Sequence, residues 1–161
     1  MKLNTSRFGE IEIEEAKIIN FKQGIFGFPN VKRYIVLDHL NNPDIPFKWL
    51  QAIDMPELAF VVTDPILFSP DYNPGIEEQD LRELNITNPL DLGIIVIVTI
   101  PHGEPEKMTA NLQGPVLVNI KRRDAKQIIL LDEKYPFHYP LFDISRVQVS
   151  ESGYQKVNSK I

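Results

Sequence analysis

The chain contains no cysteine. That absence removes disulfides, thiolate nucleophiles and thiolate metal sites together, and it agrees with a reducing compartment. Histidine is scarce: His39, His102 and His138 stand apart, and none has a second histidine at the helical spacing of a zinc pair. The eight glycines build no phosphate-cradling loop, and no serine sits in a glycine-flanked strand–turn–helix elbow. Long apolar runs are missing too. The most apolar stretch, Gly93 to Ile100, falls far short of the ~20 residues that span a bilayer, and Met1 to Arg7 lacks the apolar core of a signal peptide. These absences predict a soluble, cytoplasmic protein with no cofactor, no metal and no membrane partner.

Positive charge is nearly absent from one long segment. Between Asp54 and Asp91 stand nine acidic side chains and a single base, Arg82, so that segment carries about −8 in a chain of net charge −5. The remainder is therefore about +3. Segregation of this kind gives an anionic face whose field reaches a cationic partner over a Debye length of ~10 Å. The plainer alternative is a solvated acidic helix and loop that keep the protein soluble. Either way, the negative balance disfavours direct nucleic-acid binding, which needs clustered Lys and Arg.

What is present in quantity is short β-patterned sequence cut by thirteen prolines. Phe8 to Glu14 alternates apolar and acidic residues. Lys17–Phe21, Tyr34–Asp38, Phe47–Ile53, Leu58–Thr63, Met108–Gln113, Pro115–Lys121 and Lys126–Leu131 read as further strands. Gly93–Ile100 has almost no polar alternation, which predicts a central strand buried on both faces. The period changes at 76–92: Ile76, Leu81 and Leu84 share one helical face, Asn88 is placed to cap a turn with Pro89 at its first position, and Asp91 would meet the dipole. The expected fold is all-β and mostly antiparallel, a small barrel or barrel-like sandwich with a short helical insertion near residues 76–92. Residues 1–142 are expected to form the single barrel-like domain, and 143–161 a C-terminal extension with one possible strand and then a mobile tail.

Catalysis by paired carboxylates needs two acids whose pKa values are pushed apart. Glu77, Glu78, Asp80 and Glu83 supply carboxylates, but on a short amphipathic helix flanked by loops they read as solvated. A carboxylate-based hydrolase on a β-barrel is thus the alternative function, without a small-molecule substrate suggested by any motif. Asp71-Tyr-Asn-Pro-Gly75 begins like a calcium loop, yet proline interrupts it and the closing glutamate is missing. The basic run Lys121 to Lys126 reads as a solvated hairpin tip, lacking interleaved aromatics.

Eight blocks in order resemble one family. They are Phe8-Gly-Glu-Ile-Glu-Ile13, Gly24-Ile-Phe-Gly-Phe28, Pro46-Phe-Lys-Trp-Leu-Gln51, Leu58-Ala-Phe-Val-Val-Thr-Asp-Pro65, Pro70-Asp-Tyr72, Met108-Thr-Ala-Asn-Leu112, Pro115-Val-Leu-Val-Asn119, and Lys126-Gln-Ile-Ile-Leu130 followed by Tyr135-Pro136. From about residue 1 to 142 the chain resembles the flagellar assembly factor family FliW. The resemblance implies a non-enzymatic, barrel-like cytoplasmic protein. Such proteins bind CsrA, a dimeric RNA-binding translational regulator, and antagonise its repression of flagellin mRNA; they also bind flagellin, which closes a partner-switching feedback loop. The chain departs from the family pattern in its longer tail and in Asp124-Ala125, where a glycine-containing turn is expected. An RNA-binding partner is basic, so the acidic face is its natural complement. The predicted docking surface is Asp71, Glu77, Glu78, Asp80 and Glu83, with Tyr72 beside it either as an aromatic anchor or as a packing residue. A second candidate surface is Met108, Thr109 and Asn111, where the alternative for Asn111 is a bulge whose side chain satisfies a backbone group.

Overall fold

Turn chemistry cuts the chain into its strands. In a computed structural model that describes residues 1–38, 45–142 and 161, β1 (Lys2–Thr5) and β2 (Gly9–Glu12) form an antiparallel hairpin. Its turn is closed by Thr5, whose hydroxyl donates to the Gly9 carbonyl and accepts from the Phe8 amide. The described chain continues as β3 (Ile19–Phe21), β4 (Arg33–Leu37), β5 (Phe47–Ala52), β6 (Ala59–Thr63), α1 (Glu78–Glu83), β7 (Leu92–Thr99), β8 (Thr109–Ala110), β9 (Val116–Asn119), β10 (Asp124–Gln127) and β11 (Tyr139–Pro140).

Seven of these strands close a barrel of mixed orientation, in the order β3, β4, β5, β6, β7, β9, β10 and back to β3. The β10–β3 pairing is parallel and the others are antiparallel. Strand β7 makes the closure possible because it is long. Its second half pairs with β6 through Val96–Val98, while Leu92–Ile95 pair with β9. The last rung with β6 is Thr63 opposite Val96, after which the chain turns away through a 3-10 turn at Pro65–Leu67 capped by Asp64.

Inward-facing residues come from all seven strands: Phe21, Tyr34, Leu50, Val62, Ile95, Val118 and Ala125 are among them. Two further apolar layers lie outside the barrel. The β1–β2 hairpin covers one, with Leu3 against Ile35 and Ile53. The segment from Tyr72 to Ile86 covers the other, over Val96, Val98 and Leu117. Each fully buried aliphatic side chain contributes roughly 1.5–3 kcal/mol. The expected double-sided burial of Gly93–Ile100 follows from this layering, since Ile95 points into the barrel and Val96 and Val98 into the outer layer.

Local bonding moves several boundaries from where the pattern puts them. Glu15–Lys17 is a 3-10 turn, so only Ile19–Phe21 of the Lys17–Phe21 segment is strand. The Met108–Gln113 segment keeps only Thr109–Ala110 as strand: the Asn111 amide still donates to the Ile97 carbonyl in register with β7, but the Asn111 side-chain oxygen accepts from the Gly114 amide at 2.8 Å and the chain turns there. The last hairpin turns early. Asn119 Oδ1 accepts from both Lys121 and Arg122 amides, Arg123 takes the left-handed conformation at φ 62°, and the strand is therefore Asp124–Gln127 rather than Lys126–Leu131. Asp124 and Ala125 are strand residues, and the turn needs no glycine there. The possible strand expected within 143–161 and the histidine at 39 lie outside the described residues, apart from Ile161.

Candidate functional site

The acidic segment is held against the barrel by four polar side chains, Tyr72, Tyr135, Asn119 and Lys126. Tyr72 is buried, 7% exposed, and its hydroxyl donates to the Leu112 carbonyl at 2.8 Å. Its ring meets that of Tyr135 edge-on, 4.7 Å between centroids, and the Tyr135 hydroxyl accepts from the Asn73 amide. Burial drives the Tyr72 phenol well above its ordinary pKa, with the nearby Tyr135 adding to it. The packing role therefore describes Tyr72, which anchors the acidic loop from beneath.

Helix α1 follows. Leu84 is buried at its end, Ile76 and Leu81 are half-buried, and Glu78, Gln79, Arg82 and Glu83 face solvent. The helix stops in a Schellman arrangement: Asn85 sits at φ 55° and the Ile86 amide reaches back to the Leu81 carbonyl. Asn119, 2% exposed at the end of β9, donates to the Leu84 carbonyl at 2.8 Å. One side-chain amide thus caps the helix and closes the next hairpin. A polar residue ending the apolar run Val116-Leu-Val118 was the available signal for it.

Lys126 on β10 is the fourth tie. Its ammonium lies 2.8 Å from Asp80 Oδ1 and 2.6 Å from Glu83 Oε2. The hydrogen bond from Lys126 holds the Glu83 carboxyl below the usual glutamate range, and the two carboxylates together raise Lys126. Both carboxylates thus share one base, an arrangement that couples α1 to the barrel.

The candidate docking residues separate into two groups. Asp80 and Glu83 are engaged internally by Lys126, while Asp71, Glu77 and Glu78 are exposed and make no ion pair among the described residues. The rest of the acidic segment is dispersed. Asp54 pairs with Arg33 through a bidentate contact, Asp91 lies 3.6 Å from Lys121, and Asp64 and Asn88 cap 3-10 turns. The second candidate surface is not an open face. Met108 is buried, and Thr109 lies within the sheet, with β7 on one side and Pro140 opposite it on β11. Thr109 and Asn111 are half-buried.

The basic run is likewise more engaged than a solvated tip. Besides Lys126, the Arg123 guanidinium donates to the Lys17 carbonyl, and burial lowers its pKa. His102 and His138 are exposed. Among the described residues no group of three His, Asp or Glu side chains is placed to hold a metal, and no helix is long and apolar enough to cross a membrane.

A model of the FliW protein family matches residues 2–141. The flagellar assembly factor FliW of Thermoanaerobacter pseudethanolicus is 43% identical over 143 residues, covering 89% of this chain and 94% of that protein. Its namesake from Alkaliphilus metalliredigens is 43% identical over 151 residues, covering 92% and 91%. A crystal structure of the flagellar assembly factor FliW superimposes with a TM-score of 0.80 at 36% identity, over 89% of this chain and 98% of that one. With the barrel, the order of its blocks and these likenesses in agreement, the chain belongs to the FliW family of flagellar assembly factors.

Proposed function

We propose that this protein acts by binding other proteins in the cytoplasm: it engages CsrA, antagonises its repression of flagellin mRNA, and binds flagellin, so that free flagellin displaces CsrA and restores repression. The observation that carries the reading is the exposed group Asp71, Glu77 and Glu78 on a rigid ledge. The carboxylates beside it, Asp80 and Glu83, are already committed to Lys126. Unpaired acids on a fixed scaffold suit a basic, RNA-binding partner, because complementary potentials steer encounter and fix orientation. The ledge is fixed by Tyr72, Asn119 and Lys126, so little ordering cost falls on association.

The test is charge reversal of the free acids alone, D71K/E77K/E78K, leaving the Lys126 cluster intact. CsrA affinity is expected to fall by at least about tenfold, with a flatter dependence on salt. Unchanged affinity and unchanged salt dependence in the folded variant would remove the ledge as the CsrA site. A parallel pull-down with purified flagellin separates the two partners. Flagellin retention by the reversed variant assigns flagellin to another surface.

A further inference from the structure

One side of the barrel wall runs on past its neighbour. Beyond β10 the chain still pairs with the residues before β9: the Ile128 amide donates to the Pro115 carbonyl at 3.0 Å and the Leu130 amide to the Gln113 carbonyl at 2.8 Å. On the opposite side β3 covers only Asp124 and Ala125. Strand β3 goes no further because the chain turns at once. The Gly24 amide bonds to the Phe21 carbonyl, and Gly24 sits at φ 67°. A Cβ there would lie 2.8 Å from the Pro29 Cα, so the turn that ends β3 requires glycine.

Strand alternation sends the amides of Ile129 and Leu131 away from residues 113–115, towards the uncovered side. Among the described residues neither amide and neither carbonyl at these two positions has a hydrogen-bond partner. The side chains are open as well, Ile129 by 45% and Leu131 by 89%. Phe26, 57% exposed, is held next to the strand by the bond from its amide to Gln127 Oε1. Natural sheets blunt such an edge with lysine, proline or a covering loop. Here Lys126 is turned to Asp80 and Glu83, and residues 128–131 hold no charge and no proline.

We propose that residues 128–131 are a docking edge for an extended segment of another protein. The segment carries aliphatic side chains at alternate positions and a basic residue where it passes Asp132 and Glu133. Unpaired backbone groups that recur every second residue recognise an extended chain, whereas the backbone groups of a helix are already paired. The exposed aliphatic pair repeats with the same period. Charge selects the occupant. Asp132 and Glu133 are exposed and form no ion pair among the described residues, while Lys134 lies over the Tyr135 ring. With a net charge of −5, a second copy of the chain is repelled where a cationic segment is attracted. The edge uses none of the ledge carboxylates and stands apart from the reading built on them.

The test uses the full chain and a fluorescein-labelled synthetic peptide of alternating valine and threonine with a lysine at each end. In the free protein, amide exchange should be slow at Ile128 and Leu130 and fast at Ile129 and Leu131. Saturating peptide should slow Ile129 and Leu131 by about tenfold or more. Fluorescence anisotropy should show saturable binding that weakens several-fold in I129S/L131S. The same peptide methylated at every internal amide keeps its side chains but loses its donors, and it should not bind. That loss needs no protein variant, so it is not open to misfolding. The proposal is overturned if the unmethylated peptide fails to bind wild type, if the methylated peptide binds equally well, or if the Ile129 and Leu131 amides stay fast with peptide bound. Protection of these amides that rises with protein concentration alone would make a second copy the occupant, and would overturn it too.

Discussion

Two buried tyrosines show how differently the barrel interior and the layer beneath the acidic ledge are built. Tyr34 is fully buried inside the barrel, edge-on to Phe21 at 5.1 Å, and its hydroxyl has no hydrogen-bond partner among the described residues. Tyr72, buried in the outer layer, donates to a carbonyl 40 positions away. The interior is assembled by strands in register, so shape and alternation suffice, and a stray hydroxyl is tolerated. The outer layer is assembled from loops that are remote in sequence, and it relies on directional bonds: Tyr72 to Leu112, Tyr135 to Asn73, Asn119 to Leu84 and Lys126 to Asp80. The ledge is therefore positioned by hydrogen bonds and the barrel by packing.

The largest effects should come from truncating the packing. Leu50→Ala, at a fully buried site within the barrel, is expected to cost about 2–5 kcal/mol and to lower protection from hydrogen exchange in every barrel strand. Leu84→Ala, beneath a six-residue helix that can settle into the space, should fall at the lower end of that range and expose chiefly α1 amides. Urea unfolding and exchange on both variants test the contrast. Equal loss of barrel protection in both would show that barrel and outer layer unfold as one unit, and the distinction would fail.

Removing single hydroxyls should change sign between the regions. Tyr72→Phe leaves the buried Leu112 carbonyl without its partner and is expected to cost about 1–2 kcal/mol, whereas Tyr34→Phe removes an unsatisfied group and should be neutral or stabilising by up to about 1 kcal/mol. The pH dependence adds a second reading of Tyr34. Burial raises its phenol from 10.0 to about 12. Its neutral form therefore supports folding fully below pH 10, and that support is lost as pH rises through about 12. Tyr34→Phe should blunt alkaline unfolding in that window. Equal costs for the two substitutions would erase the contrast.

The same contrast explains what could be read before the structure. Strands of the barrel announce themselves by alternation, and Phe47–Ile53, Leu58–Thr63 and Gly93–Ile100 fall within a residue of the observed β5, β6 and β7. The acidic insertion and its helix were legible through the change of period and the Asn88-Pro89 signal. The parallel β3–β10 pairing was not, since no local pattern records which remote strand closes a barrel. Nor did the pattern reveal that Asn119 ends one hairpin strand and a helix together, which moved the last turn forward. Charge counting found the acidic segment but could not separate Asp80 and Glu83 from Asp71, Glu77 and Glu78, because the separating residue, Lys126, comes from a strand more than forty positions away.

Lys126 offers the smallest and most specific probe of the outer layer. In Lys126→Met the ammonium is lost and Asp80 and Glu83 are left side by side on α1. Glu83 has a folded pKa below its ordinary 4.5, so its share of the stabilisation is present above pH 4.5 and disappears as pH falls through the depressed value. Lys126 has a folded pKa above its ordinary 10.5, so its share is complete below pH 10.5 and disappears as pH rises through the raised one. The stability difference between wild type and Lys126→Met should therefore form a plateau between these limits and shrink at both ends. Because Glu83 is exposed, salt should also reduce it. The expected plateau is a few degrees in Tm, with faster exchange in α1 and no change in the barrel strands. A difference that is flat across the whole pH range would mean that Lys126 acts through its methylene stem, and that packing holds the ledge as it holds the barrel.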